Sequence, residues 1–361
     1  MLRSVSVFER LGGEFEEVVF AHDPPTGLRA IIAVHSTVLG PALGGVRCFP
    51  FESEEAALTD VLRLSRAMTY KASAAGLDLG GGKAVIIGDP RTAKTEALLR
   101  AYARFVDGLG GRYITAEDIG TSLADMDVIR EETRHVGGAS PARGGSGDPS
   151  EMTAYGVFLA MRAAAGEAWG EASLKGRRVA VQGVGKVGSA LAGHLMDDGA
   201  SVVVADVDAD AAARAHREGA DVVDPASILS ADCDVLAPCA MGAVLDARVI
   251  PSVRARVVCG AANNQLAGPE DARTLARSGI LYTPDYVANA GGIINIFEEF
   301  HAQGYDVQRA RLSVERIEQN VRRVFEAARE SGVTPAEAAD ALAETRVRSA
   351  ADSRVGAPSL R

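Results

Sequence analysis

Between Arg178 and Asp206 the chain runs through one pattern that leaves few folds open. An apolar stretch, Arg178-Val-Ala-Val-Gln, leads into Gly183-Val184-Gly185-Lys186-Val187-Gly188, then a helical stretch to about Asp198, then Ser201-Val-Val-Val-Ala-Asp206. In such a strand–turn–helix unit the first glycine permits the tight turn. The second lets the backbone approach a pyrophosphate, and the third lets helix and strand pack closely. The helix N-terminus then offers free N–H groups and the positive end of its dipole to the phosphates. Asp206 ends the second strand, where a carboxylate takes the adenosine ribose hydroxyls. A glycine-rich turn alone is common in α/β proteins; strand, turn, helix, strand and terminal Asp in register make the pattern specific. The charge of Asp206 repels a 2′-phosphate, and Val207, Asp208, Ala209 and Asp210 supply no arginine to neutralise one. NAD is therefore expected over NADP.

With 361 residues the chain has room for two domains with sizeable cores. Residues 15–35 alternate as a hairpin does, with Pro24-Pro25-Thr26-Gly27 as the turn. A helix over 53–75, a strand over 83–88, a helix near 93–108 and a strand at Tyr113-Ile114-Thr115 follow. Strands alternating with helices indicate a layered α/β domain. Gly137 to Pro149 is rich in Gly, Ser and Pro and reads as a hinge, ahead of a helix at about 151–166. Beyond the glycine pattern come strands at Val235–Cys239 and Val257–Gly260, then Asn263-Asn264 and Tyr286-Val-Ala-Asn289-Ala-Gly-Gly292. Small residues and amides after strand ends are where a doubly wound sheet takes its ligand, although each Asn alone is equally a turn residue. These signals divide the chain into an N-terminal domain over 1–148 and a Rossmann-type domain over 149–327. Helices after about Asn295, the last near 335–349, lead back to the first domain, with 328–361 assigned to it.

Two lysines carry the second signal. Lys71 lies in a helix whose buried stripe is expected at Leu58, Val61, Leu62, Ser65, Met68 and Ala72, and it projects close to that stripe. Lys83 follows three glycines and opens an apolar strand, Ala84–Ile87. Either lysine alone reads as a side chain snorkelling to solvent. Together, two ammonium groups among apolar residues argue for a site, since each must be paired, neutralised or used. The Gly-Gly-Gly-Lys run is not a P-loop, because Leu77 stands where the outer glycine belongs and Ala84 where Ser or Thr must bind magnesium.

The formal charge of −10 argues against nucleic acid or an anionic membrane surface as partner. Four cysteines without a Cys-x-x-Cys pair read as buried thiols in a reducing cytoplasm, and six scattered histidines give no metal motif. The start, Met-Leu-Arg-Ser-Val, has no apolar leader, so no signal peptide is expected, and no run is long enough to span a bilayer. From about Ala350 the periodicity fades, and a frayed end is expected.

Seven segments in order, Gly40-Pro-Ala-Leu-Gly-Gly-Val-Arg47, Tyr70-Lys71, Leu79-Gly-Gly-Gly-Lys-Ala-Val85, Thr115-Ala-Glu-Asp-Ile-Gly-Thr121, the glycine pattern, Gly260-Ala-Ala-Asn-Asn-Gln265 and Pro284-Asp-Tyr-Val-Ala-Asn-Ala-Gly-Gly292, carry a resemblance. Over about residues 15–345 the chain resembles the glutamate, leucine, phenylalanine and valine dehydrogenase family, its leucine and valine branch most. The resemblance implies a substrate-binding and oligomerisation domain and an NAD domain separated by a cleft, closing about the Gly137–Pro149 hinge. It implies oxidative deamination of Leu, Val or Ile to the 2-oxo acid with release of ammonia, reversibly, by a homo-oligomer. Lys71 would bind the substrate α-carboxylate and Lys83 would be the catalytic lysine, with Asp118 beside it. Burial pushes such a lysine towards the neutral amine while Asp118 pulls it back, so the two effects compete. Gly44 and Gly45 would let backbone approach substrate, Asn289 would contact it, and Thr153 and Asn264 would orient the nicotinamide. Leu43 stands where glutamate-specific relatives carry lysine, so a distal carboxylate would be left unpaired. Ala116 and Ile293 match side-chain pocket positions. Asp148, where many relatives have Asn, and the bulky Phe297 and Phe300 depart from the pattern. The alternatives are a phenylalanine dehydrogenase and a catalytically silent NAD or amino-acid sensor.

Overall fold

In the computed structural model residues 7–355 are described; the N-terminal stretch read for a leader and the last residues of the expected frayed end lie outside them. The chain forms two compact units. One comprises the chain up to Asp148 with Ile296–Tyr305 and the segment from Ala343; the other comprises Pro149–Asn295 and Asp306–Leu342.

The first unit contains α1 (Val7–Leu11), β1 (Glu17–Asp23), β2 (Leu28–Ser36), β3 (Ala42–Phe49), α2 (Glu54–Ala74), β4 (Gly80–Ile87), α3 (Glu96–Gly108), β5 (Tyr113–Glu117) and α4 (Leu123–Arg130). Its sheet has the order β1-β2-β4-β3-β5. The β1–β2 hairpin and the β2–β4 pair are antiparallel, while β3 lies parallel to both β4 and β5. Period-two alternation serves two cores. Ile31, Ala33 and Val85 pack with Ala57, Leu58, Val61 and Leu62 of α2, whereas Ala30, Ile32 and Val34 pack with Leu98, Tyr102 and Val106 of α3. Helix α2 starts at Ser53, whose hydroxyl accepts from Ala56 N–H at 3.0 Å.

The structure departs from expectation at β4 and at α2. The glycines before Lys83 are inside β4, because only hydrogen fits: a Cβ at Gly81 would stand 2.1 Å from Thr69 N of α2, and one at Gly82 2.6 Å from the Tyr113 ring. The buried stripe of α2 passes through Thr69 and leaves Met68 half-buried; the Thr69 hydroxyl is satisfied by His35 Nδ1 at 2.8 Å. The stretch read as a hinge contains the division between the units, at Asp148–Pro149, and through Gly147 it is a fastened loop of the first unit. Gly138 N–H, Ser146 N–H and the Ser146 hydroxyl all donate to the Glu299 carboxylate at 2.5–3.1 Å, and Ser140 N–H donates to Asp127. Burial pushes the Glu299 carboxyl above its ordinary range against these donors.

The second unit contains α5 (Ser150–Trp169), β6 (Arg178–Gln182), α6 (Lys186–Asp197), β7 (Ser201–Ala205), α7 (Ala209–Arg217), β8 (Asp221–Val222), β9 (Val235–Pro238), β10 (Val257–Val258), α8 (Pro269–Arg277), β11 (Leu281–Tyr282), α9 (Asp285–Ala288), α10 (Gly291–Glu298), α11 (Val307–Val314), α12 (Arg316–Ser331) and α13 (Pro335–Val355); α10 and α13 run on into the first unit. All six strands are parallel, in the order β11-β10-β9-β6-β7-β8. Succession thus runs outward one way from β6 and the other way from β9, a doubly wound sheet with its switch point between them. The chain rejoins the first unit later than about 328. Glu337 pairs with Arg273 and Asp340 accepts from the Tyr286 hydroxyl, so residues up to Leu342 stay with the second unit. From Ala343 the contacts change: its carbonyl accepts from the Ser73 hydroxyl at 2.9 Å, and Arg346 meets Leu77 O and Asp78. Helix α13 continues to Val355, past the point where fraying is expected.

Candidate active site

Sheet register decides which side chains of the first unit share a face. Leu43 pairs with Gly81 and Ile114, Gly45 with Ala116, and Arg47 with Val85. Alternation therefore places Leu43, Gly45, Arg47, Lys83 and Ala116 together on the face that α2 covers. Lys83, 7% exposed, reaches Asp118 Oδ2 at 2.5 Å. Asp118 follows the end of β5, and a tight turn aims it: its N–H donates to the Thr121 hydroxyl at 2.9 Å, which in turn donates to Val46 O at 3.0 Å. Burial raises the carboxyl of Asp118, but the charges of Lys83 and Arg47 outweigh it and hold the group below the usual carboxylate range. Lys71 is half-buried in the last turn of α2. Leu43 and Ala116 are 2% exposed.

The glycines beside them answer to the sheet itself. A Cβ at Gly44 would lie 1.7 Å from Gly82 O, and one at Gly45 2.4 Å from Glu117 O and 2.9 Å from Asp118 Cβ. The absent side chain at 45 is what lets Asp118 sit against β3. Beneath this strand the Tyr113 hydroxyl donates to Gly44 O at 2.6 Å, and the Tyr102 hydroxyl bonds Thr115 Oγ1 at 2.9 Å.

In the second unit the glycine pattern lies at the C-terminal end of β6. Gly183 has φ +91°, a left-handed conformation suited to glycine. At Gly188 a Cβ would stand 1.9 Å from Gly183 O, so only glycine lets α6 begin this close to the turn. No side chain caps α6 at Gly185, which leaves its first N–H groups for an anion. Val184, Lys186 and Val187 complete the turn and open the helix. Asp206 accepts from Val184 N–H at 2.7 Å and Asp208 N–H at 2.8 Å, which fixes its carboxylate while leaving lone pairs for further donors. Asn289 is 3% exposed; its Nδ2 donates to Ala261 O at 3.0 Å and Asn263 Oδ1 at 2.9 Å, and its Oδ1 is buried without a partner. Gln182 Oε1, just before the glycine pattern, is likewise buried and unpartnered. Orphaned acceptors at the C-terminal edge of a parallel sheet fit a ligand that brings donors. Thr153 donates to Pro149 O at 2.9 Å, and Gly292 leaves room for its hydroxyl. Asn264 is exposed with φ +53°, and Ile293 is buried in the first turn of α10. Asp148 is exposed, Phe297 half-buried, and Phe300 packs near Gly137.

The sequence reading missed Arg47 as a site residue. Its Nε lies 3.3 Å from Asp118 Oδ2 and its Nη1 2.8 Å from Asp60 Oδ2. A parity count over Gly44-Gly-Val-Arg would have placed it on the face of Leu43, had β3 been read as a strand. Among the described residues no group of three or more His, Cys, Asp or Glu could hold a metal ion, and no helix is long and apolar enough to cross a membrane.

A doubly wound parallel sheet with a glycine fingerprint at its switch point, in a chain that also builds a buried lysine–carboxylate pair, is the framework of a nicotinamide-dependent dehydrogenase. Residues 16–135 match the family described as Glu/Leu/Phe/Val dehydrogenase, dimerisation domain, and residues 144–215 and 206–354 match Glutamate/Leucine/Phenylalanine/Valine dehydrogenase. Leucine dehydrogenase of Geobacillus stearothermophilus is 51% identical over 92% of this chain and 91% of its own length. Valine dehydrogenase of Streptomyces virginiae is 50% identical over 96% of this chain and 97% of its own. Among solved structures, L-tryptophan dehydrogenase from Nostoc punctiforme superposes with a TM-score of 0.84 at 44% identity, covering 96% of this chain and all of that one. The chain belongs to the glutamate/leucine/phenylalanine/valine dehydrogenase family.

Proposed function

We propose that this enzyme catalyses NAD-dependent oxidative deamination of branched-chain L-amino acids to 2-oxo acids and ammonia, and the reverse amination. The observation that carries the reading is the Lys83–Asp118 pair on the same sheet face as two buried apolar residues, Leu43 and Ala116. Lys71 binds the substrate α-carboxylate, and Asn289, with its orphaned Oδ1, accepts a hydrogen bond from substrate. Lys83 accepts a proton from the amine as the Cα–N bond becomes C=N, and later moves a proton between the attacking water and the departing ammonia. Asp118 holds that ammonium in place. Bound NAD supplies the acceptor for the hydride that leaves Cα. It would be held by the 183–188 turn and Asp206, with Thr153 and Asn264 orienting its nicotinamide.

Leu43 offers a distal carboxylate no counter-charge, so glutamate is rejected at the cost of a buried unpaired ion. Ala116, buried on the face of Leu43, is assigned to an aliphatic substrate side chain, as is Ile293, and one methyl group distinguishes substrates by only about 1–3 kcal/mol. Val, Leu and Ile are therefore turned over together, with Phe weakly. The protein works as a homo-oligomer in the cytoplasm. In support, its first unit matches a dimerisation domain, a Thermus thermophilus glutamate dehydrogenase of TM-score 0.79 is a hetero-hexamer, and its four cysteines are free thiols.

The test is absorbance of reduced nicotinamide with L-Val, L-Leu, L-Ile, L-Phe and L-Glu, with NAD and NADP in parallel. Turnover of the aliphatic amino acids with NAD is expected; a signal with Phe alone would overturn the pocket assignment. Asp206→Ala is expected to weaken NAD by about 10–100-fold, the worth of a hydrogen bond to a charged group, and to narrow the gap to NADP. An unchanged cofactor preference in that variant would remove Asp206 from the site.

A further inference from the structure

Three charges meet at one carboxylate oxygen. Asp118 Oδ2 lies 2.5 Å from Lys83 Nζ and 3.3 Å from Arg47 Nε. Arg47 is held from its other side by Asp60 Oδ2 at 2.8 Å, and Arg63 takes Asp60 Oδ1 at 3.0 Å. Both side chains of the Arg47–Asp60 pair are less than one-fifth exposed, so solvent screens it only partly. The geometry points to Arg47 as a positioning residue for the reaction: by sharing Asp118 Oδ2 with Lys83, it sets how strongly that carboxylate holds the lysine's proton. The inference rests on the role given to Lys83 above.

A carboxylate serving one ammonium alone favours the charged lysine strongly. A guanidinium on the same oxygen takes part of that interaction and repels the ammonium as a like charge. Both effects favour release of the proton that the reaction requires Lys83 to exchange. A guanidinium can do this without being consumed, because it does not itself lose a proton in the working range. Its planar fork meets two carboxylates from separate nitrogens, Nε on Asp118 and Nη1 on Asp60. The titratable and charged groups of the cluster are Lys83 from β4, Asp60 and Arg63 from α2, Arg47 from β3 and Asp118 after β5, with Tyr113 of β5 on the opposite face of the sheet. Burial lifts the Tyr113 phenol far above the working range, so it stays neutral.

The experiment compares wild type, R47Q and R47K in the full chain. One readout is the pH midpoint at which Lys83 is acylated by an amine-selective reagent, followed by mass spectrometry, which needs no turnover. The other is the acid limb of kcat/KM for L-leucine oxidation. For R47Q both midpoints are expected to move up by about one pH unit, a tenfold loss of rate at a fixed pH on that limb. The loss recovers at higher pH, which a merely structural defect would not do. R47K keeps the charge, so its midpoints are expected to stay within a few tenths of wild type while the rate falls at every pH. Should R47Q fail to fold, a one-unit displacement in R47K would by itself overturn the charge argument. An unmoved acylation midpoint in a folded R47Q overturns the inference while leaving the proposed function intact. A moved midpoint in a protein that turns over no amino acid sustains the inference on Lys83 and overturns the function.

Discussion

Replacing Lys83 with alanine is expected to lower kcat by about 10²–10⁴-fold, the range lost when a positioned acid–base group is removed. The fold tolerates the change, because Asp118 keeps Arg47 as its counter-charge at 3.3 Å. The nucleotide turn belongs to the other compact unit, so NAD binding measured by titration calorimetry is expected to remain nearly intact. Binding lost together with activity would remove Lys83 from the chemistry and make it a structural residue.

Asp118→Asn strikes the same cluster with the opposite sign. It leaves Lys83 and Arg47 facing an amide, two cations whose shared counter-charge is gone. Removing one member of a buried ion pair costs about 3–5 kcal/mol, and the lower end applies because 19% of the Asp118 side chain meets solvent. At about 2–4 °C per kcal/mol the thermal midpoint is expected to fall by about 6–12 °C. Because the native carboxyl is held below its usual range, its stabilisation is present above the unfolded value of about 3.9 and is lost as pH falls through the native one. Wild type and D118N should therefore differ most near neutrality and converge in acid. Thermal scans across pH check this, and a gap that persists at low pH would mean the loss comes from packing. The acid limb of D118N is expected to move down, where that of R47Q moves up.

What the sequence made legible follows from range. The nucleotide turn is local: Gly183, Gly185, Gly188 and Asp206 lie within one strand–helix–strand unit, and their spacing carries their geometry. The pairing of Lys83 with Asp118 came from a resemblance and not from spacing, since β3 lies between β4 and β5 in the sheet. Strand β3 itself stayed hidden. No alternation marks Leu43-Gly-Gly as a strand, and the demand for small residues there comes from Gly82 O and Glu117 O on neighbouring strands. Arg47 was hidden with it, because its partners Asp60 and Asp118 are 13 and 71 positions away. Thr69 displaced Met68 from the buried stripe for the same reason: a hydroxyl is welcome there only because His35 is beside it.

The discontinuous make-up of the first unit bears on how the chain is made. Its loop over 138–146 is fastened by Glu299, and Ser73 and Asp78 are met by Ala343 and Arg346, some 270 positions further on. A ribosome releases these closing segments last. The second unit can assemble its sheet, β6 to β11, while the first still waits for its final helix. During synthesis the lysine-bearing unit, although begun first, is completed last, and a chain cut short just after Leu342 would carry a finished second unit and an unfinished first one.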